Sequence, residues 1–109
     1  MADKIKHTHC CYCRRKLDDL NINLTKTKEH FIPKSKGGFG DDNILQCCNE
    51  CNSWKADKMP DYWLSQVEFF QKKKRLKGTY TLIDYRQIIG SIRHWIKFFK
   101  GKSIGIYKF

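Results

Sequence analysis

Acid is what the second part of this 109-residue chain lacks. Residues 69–109 hold a single acid, Asp84, against 11 Lys and Arg, whereas residues 1–68 set 10 acids against 11 bases. Nearly all of the net charge of +11 therefore sits on the C-terminal part, which points to a polyanion partner, nucleic acid first. Long apolar runs are missing as well, so no membrane span is expected. The first six residues, Met1-Ala2-Asp3-Lys4-Ile5-Lys6, contain no continuous apolar segment. No secretory signal is expected from them, and the setting they imply is intracellular and cytoplasmic. Proline occurs twice, at Pro33 and Pro60, and both act as punctuation. No internal repeat is present, and low complexity is limited to one lysine run.

Cysteines and aromatics are plentiful. Hydrophobic residues make up 40% and aromatics 14%, too much for a disordered chain. A chain this short buries a limited core, so a metal staple would supply a large share of its stability. The six cysteines cluster as Cys10-Cys11-Tyr12-Cys13 and Cys47-Cys48-Asn49-Glu50-Cys51. Three disulfides in a secreted chain would be the other account, and both the clustering and the missing signal argue against it. Two C-x2-C pairs, Cys10/Cys13 and Cys48/Cys51, suit a closed tetrahedral zinc site, which holds a fold and leaves no open position for chemistry. Cys11 and Cys47 are left over for packing or as spare thiols, with Cys47 able to exchange with Cys48. His7 and His9 flank the first pair and read as a solvated tail, because four thiolates already fill the site.

The chain divides into a flexible N-terminus (1–9), a core (10–58) and a basic helical extension (59–109). Residues 17–24 mix helical and extended signals. Residues 26–32 read as a short strand ended by Pro33, residues 34–42 as a glycine-bearing loop, and residues 43–46 as a second strand. A helix follows from about Cys48 to Lys58, stopped by Pro60. A second helix opens at Pro60 or Asp61 and runs through Lys72–Arg75, stopping before Gly78. A third, capped by Asp84, carries Tyr85, Ile88, Ile89, Ile92, Ile96 and Phe99 at helical spacing and ends at Gly101. Residues 103–109 add a short strand or fray. The helix aromatics share faces with isoleucines, so core packing is their expected role, and His94 lies off the main stripe. The fold class is α+β.

Between the cysteine pairs lies Glu29-His30-Phe31-Ile32-Pro33-Lys34-Ser35, then Gly37-Gly38, Asn43 and Asn52. A histidine can take a proton from water near neutral pH. One carboxylate and one amide oxygen make a sparse shell that suits Mg²⁺ or Mn²⁺, which keep part of their hydration. Glu29 and His30 are adjacent, so a regular strand would send them to opposite faces. A bend near Pro33 and the glycines is expected to bring both to one phosphate.

Taken together, the acid-His-x-x-Pro strand, the spaced Asn43-Ile44-Leu45 and Cys48-x2-Cys51-Asn52-x2-Lys55 resemble an HNH endonuclease of the ββα-metal (His-Me finger) fold. The resemblance covers about residues 10–58. It implies a small ββα-metal core stapled by a four-cysteine zinc site, with two basic amphipathic helices following it here. It implies metal-dependent hydrolysis of DNA phosphodiester bonds. His30 matches the water-activating base, and Glu29 the acidic ligand of the catalytic ion, usually Asp. Asn52 matches the second ligand of that ion. Asn43 matches the residue that braces the loop and orients the histidine. Cys10, Cys13, Cys48 and Cys51 match the zinc cysteines of the zinc-bearing subgroup.

Candidate phosphate contacts are Lys34, Lys36 and Lys55 around this motif, for each of which a plain surface lysine is an equal account. In the extension they are Lys72, Lys73, Lys74, Arg75, Arg86, Arg93 and Lys97. The expected partner is DNA, with RNA-containing or branched substrates left open, as are a homodimer and a partner protein. A free-standing chain of this kind fits a bacterial cell, phage or mobile-element setting. The alternative is a non-enzymatic zinc-stabilised module that binds nucleic acid or joins an assembly.

Overall fold

The computed structural model describes residues 8–37 and 43–101. His7, most of the glycine loop (residues 38–42) and the expected C-terminal strand (within 102–109) lie outside the described residues. Among the described residues no helix is long and apolar enough to cross a membrane.

The chain enters through a tight turn at Cys10–Cys13. The turn is closed by Arg14 N donating to Cys10 O (3.1 Å) and Cys10 N to Arg15 O (2.9 Å). Arg14 takes a positive φ of 67° to make the reversal. The undecided stretch before the sheet holds a 3-10 turn at Ile22–Leu24, capped by the Asn21 side chain. Strands β1 (Lys26–His30) and β2 (Ile44–Cys48) then pair antiparallel, from Lys26 opposite Cys48 to His30 opposite Ile44. β1 stops before Pro33, as expected. β2 runs two residues further than the sequence suggested and delivers Cys47 and Cys48 into the core.

Helix α1 (Asn49–Lys55) starts directly off β2, and the Cys48 sulfur accepts from Cys51 N at 3.4 Å in place of a hydroxyl cap. It ends three residues before the expected Lys58. Ala56 turns to φ 49°, and the Lys58 ammonium caps the Trp54 carbonyl at 2.7 Å. Helix α2 (Pro60–Lys72) has proline in its first turn, where the missing N–H costs nothing. It also stops early, before Lys73–Arg75. Lys74 adopts φ 55°, Arg75 N reaches Phe70 O (2.9 Å) and Lys74 N reaches Gln71 O (3.1 Å). That is a Schellman closure with lysine where glycine is usual.

Helix α3 (Leu82–Gly101) begins one turn earlier than its expected cap. Thr81 is the cap: its hydroxyl accepts from Asp84 N (3.1 Å), and Asp84 accepts back from Thr81 N (2.8 Å).

One buried cluster joins the knuckles, the sheet and the helices. Tyr12 meets Trp63 edge to face at 4.9 Å, and Phe31, the residue after His30, stacks on Phe99 at 4.8 Å. Trp54 packs against Trp63, Phe70, Tyr80 and Tyr85. These rings belong to the core, whereas Tyr62, Phe69 and Phe98 remain exposed. Helix α3 is tied to the first knuckle by Trp95 Nε1 donating to Cys11 O (3.2 Å) and Arg14 Nε to Ser91 Oγ (3.2 Å). The result is a small α+β fold, with a two-stranded sheet, three α-helices and a four-cysteine cluster near the start among the described residues.

Candidate metal centre and nuclease cleft

The sulfurs of Cys10, Cys13, Cys48 and Cys51 lie within 4.8 Å of one another, all buried. Cys13 and Cys48 are 3.8 Å apart. A tetrahedral ion with metal–sulfur bonds of ~2.3 Å requires sulfur–sulfur edges of ~3.8 Å, so the cluster could hold a structural metal ion such as zinc. The sheet register and the helix start bring it together, since β2 runs straight into α1 and places Cys48 and Cys51 one turn apart. With no cation, burial first of all holds the Cys10 thiol up at about 12 and Cys51 well above its ordinary value. Cys13 is drawn down, first by a hydrogen bond from Cys10. A divalent ion there would remove this ordering, holding all four as thiolates. His9, expected in a solvated tail, is exposed and bonds Thr8. Cys47 is buried beside Thr27 Oγ1 at 3.5 Å, outside the cluster.

The second site is a cleft of about 300 Å³ between β1, the turn at Lys34–Lys36 and the end of α1. Lys28, Glu29, His30, Lys34, Ser35, Asn52 and Asp57 are among its lining residues. His30 and Asn52, both half-buried, come from different elements and meet here. Among the described residues neither side chain has a hydrogen-bond partner, and neither does Asp57. Their polar atoms are left for water or a ligand.

Asn43 sits behind the cleft, fully buried. Its side chain accepts from Ile32 N (3.0 Å) and donates to Ile32 O (2.8 Å), while its backbone oxygen accepts from Phe31 N (2.9 Å). It therefore pins the two residues after His30.

Glu29 departs from expectation. No bend brings it beside His30; β1 keeps regular pairing through both, Glu29 opposite Leu45 and His30 opposite Ile44. Strand alternation then turns the Glu29 side chain inward, 4% exposed. One carboxylate oxygen accepts from the Tyr12 hydroxyl, and the other pairs with the Lys55 ammonium at 3.2 Å. Burial raises its pKa above the ordinary value, opposed by Lys55 and Tyr12. Glu29 borders the cleft, but its charge is already balanced from inside.

Lys55 is the matching correction. It was expected among the phosphate contacts, yet it is fully buried, with its ammonium on Glu29 and on the His30 backbone oxygen (3.3 Å). It has no free reach to a phosphate and instead clamps the end of β1. Lys34 and Lys36 are exposed, and so are Lys72, Lys73, Lys74, Arg75, Arg86, Arg93 and Lys97. Arg93 is paired with Glu68, and Lys73 and Arg75 both lie over the Phe69 ring at 5.9 Å.

The α2–α3 connection packs on the flank of α1 away from the cleft. Lys77 sits over Trp54 (5.7 Å) and Thr79 bonds Glu50, and both of those α1 residues are ~200° around the helix from Asn52. Two cleft residues, Lys28 and Asp57, were not read from the sequence. The two-residue strand period places Lys28 on the His30 face and could have found it. Asp57 lies past the helix end, where no period applies.

A family model described as HNH endonuclease matches residues 10–68, more than half of the chain. The chain belongs to the HNH endonuclease family. No curated protein and no solved structure matches it. The match spans both cysteine pairs, both strands, α1 and α2 as far as Glu68, so this HNH chain carries its α3 helix outside the matched region. Membership points to a nuclease-type function.

Proposed function

We propose that the chain is a metal-dependent endonuclease that hydrolyses DNA phosphodiester bonds in the cleft between β1 and α1. The observation that carries this reading is the pair His30 and Asn52, brought from two elements to one cleft with their side chains unpartnered. His30 takes a proton from the attacking water. Phe31 stacked on Phe99, Asn43 on Ile32 and Lys55 on the His30 oxygen fix its backbone. Lys28 and Lys34, lining the cleft, receive the phosphates beside the scissile bond. Asn52 and Glu29 are the oxygen donors on the cleft wall for Mg²⁺ or Mn²⁺. Such an ion would polarise the phosphate and stabilise the departing alkoxide. Glu29 would share its carboxylate between that ion and Lys55. The four-cysteine site takes zinc and serves the fold. The basic run Lys72–Arg75 grips duplex beyond the cutting point, a sequence-independent contact weakened by salt.

One observation favours the second reading, a module that binds without cutting: the internal pairing of Glu29 leaves the cleft's cation shell thin. Supercoiled plasmid incubated with Mg²⁺ or Mn²⁺ separates the two. The nuclease reading expects nicked or linear product from the wild type, and a rate lower by ~10²–10⁴-fold for His30→Ala and for Asn52→Ala. Plasmid retarded in a gel but left intact by the wild type would establish the binding module instead.

A further inference from the structure

The loop between α2 and α3, which lies outside the family match, reaches back to the four cysteines. Tyr80, 2% exposed, donates its hydroxyl to Cys51 Sγ at 3.2 Å. Arg15 donates from Nε to Cys13 Sγ at 3.1 Å, and its second terminal nitrogen approaches Cys48 Sγ at 3.8 Å. The guanidinium lies over the Tyr80 ring at 4.6 Å. Glu50 and Thr79 hold it there. Arg15 bonds Glu50 Oε1 (3.0 Å) and Thr79 Oγ1 (2.7 Å), and the Thr79 hydroxyl and N–H both donate to Glu50 (2.6 and 3.0 Å). Gly78 is required for this approach: it takes φ +61°, and a Cβ there would fall 1.9 Å from Glu50 Oε2.

Three of the four sulfurs thus receive a donor from a fixed ring of side chains. A neutral thiol is a weak acceptor, and a buried phenol whose hydroxyl faces only sulfur is poorly satisfied by one. A thiolate accepts strongly, and a divalent ion with four thiolates carries a net charge of −2 that a guanidinium offsets. We propose that Arg15, Thr79 and Tyr80 form the outer shell of the metal centre, so that the α2–α3 connection completes a site whose ligands all lie in the HNH core. This rests on reading the four cysteines as a metal site. Arg15 and Tyr80 are positioning residues: they lower the electron density on the sulfurs, slow loss of the ion, and lock the basic α2–α3 hairpin onto the core. Removal of the ion frees the loop at Gly78–Tyr80 first.

The test uses the full chain loaded with Co²⁺, whose thiolate-to-metal charge-transfer band reports sulfur electron density. Tyr80→Phe removes a single oxygen and keeps the ring packing. Arg15→Met and Thr79→Val are the second and third variants, with Gln87→Ala on exposed α3 as background. Tyr80→Phe and Arg15→Met are expected to move the band to lower energy and to release metal to a chelator about tenfold faster. Far-UV circular dichroism should match the wild type. Amide exchange at residues 78–81 should rise when the metal is withdrawn. A band and a release rate unchanged in Tyr80→Phe overturn the outer shell while leaving the metal site standing. A wild type that gives no charge-transfer band overturns both.

Discussion

Lys55 is the residue whose removal is most informative. Its ammonium and the Glu29 carboxylate are 3.2 Å apart, with side chains 0% and 3% exposed. In Lys55→Met the carboxylate loses its counter-charge while still facing the Tyr12 hydroxyl inside the core. A buried unpaired charge neutralises, so Glu29 becomes protonated in the folded chain while the unfolded chain still ionises it above its ordinary 4.5. A folded-state pKa raised in this way means stability is lost as pH rises. At about 1.36 kcal/mol per pH unit, protonating Glu29 costs at most about 3.4 kcal/mol at pH 7 and about 0.7 kcal/mol at pH 5, and the deficit against wild type is smaller by what the wild type's own raised Glu29 pKa already costs. The larger figure falls within the range of about 3–5 kcal/mol for breaking a buried pair, and is a large part of a typical stability of about 5–15 kcal/mol. Urea melts of the metal-loaded protein at both pH values, each against wild type, measure it. Glu29→Gln combined with Lys55→Met should recover most of the pH 7 loss, because no charge is then stranded. A Lys55→Met deficit below about 1 kcal/mol at pH 7, or one that does not shrink toward pH 5, would refute the reasoning. It would mean that in solution Glu29 turns outward to the cleft.

Two further outcomes follow from individual contacts. Asn43→Ala leaves Ile32 N and O without side-chain partners behind His30. It should cost about 1–3 kcal/mol and lower kcat for plasmid cleavage with little change in KM, read from melts and initial rates. Lys74→Gly relieves a left-handed residue at the end of α2. It should raise stability by about 1 kcal/mol in urea melts and, if the proposed DNA grip of the lysine run holds, make the salt dependence of DNA retention shallower.

The sequence alone determined the parts of this protein that are local. Two C-x2-C pairs place two sulfurs on each of two turns. The Glu29–Pro33 strand, Asn43 and Asn52 mark the HNH core, and apolar spacing finds α2 and α3. Tertiary structure decided how those parts meet. Alternation along β1 separates Glu29 from His30, but only the packing of α1 against that strand supplies Lys55, 26 positions later, as the partner that occupies the carboxylate. Helix ends were misjudged for the same reason: Lys74 and Ala56 accept positive φ because the surrounding contacts fix the turn, a preference that residue type does not reveal. Arg15 stands two residues past Cys13 and is local to that sulfur, but nothing in the spacing of Tyr80 connects it to Cys51. Tyr80 reaches its sulfur because the α2–α3 connection folds back over the knuckle, and such long-range proximity is a property of the packed core.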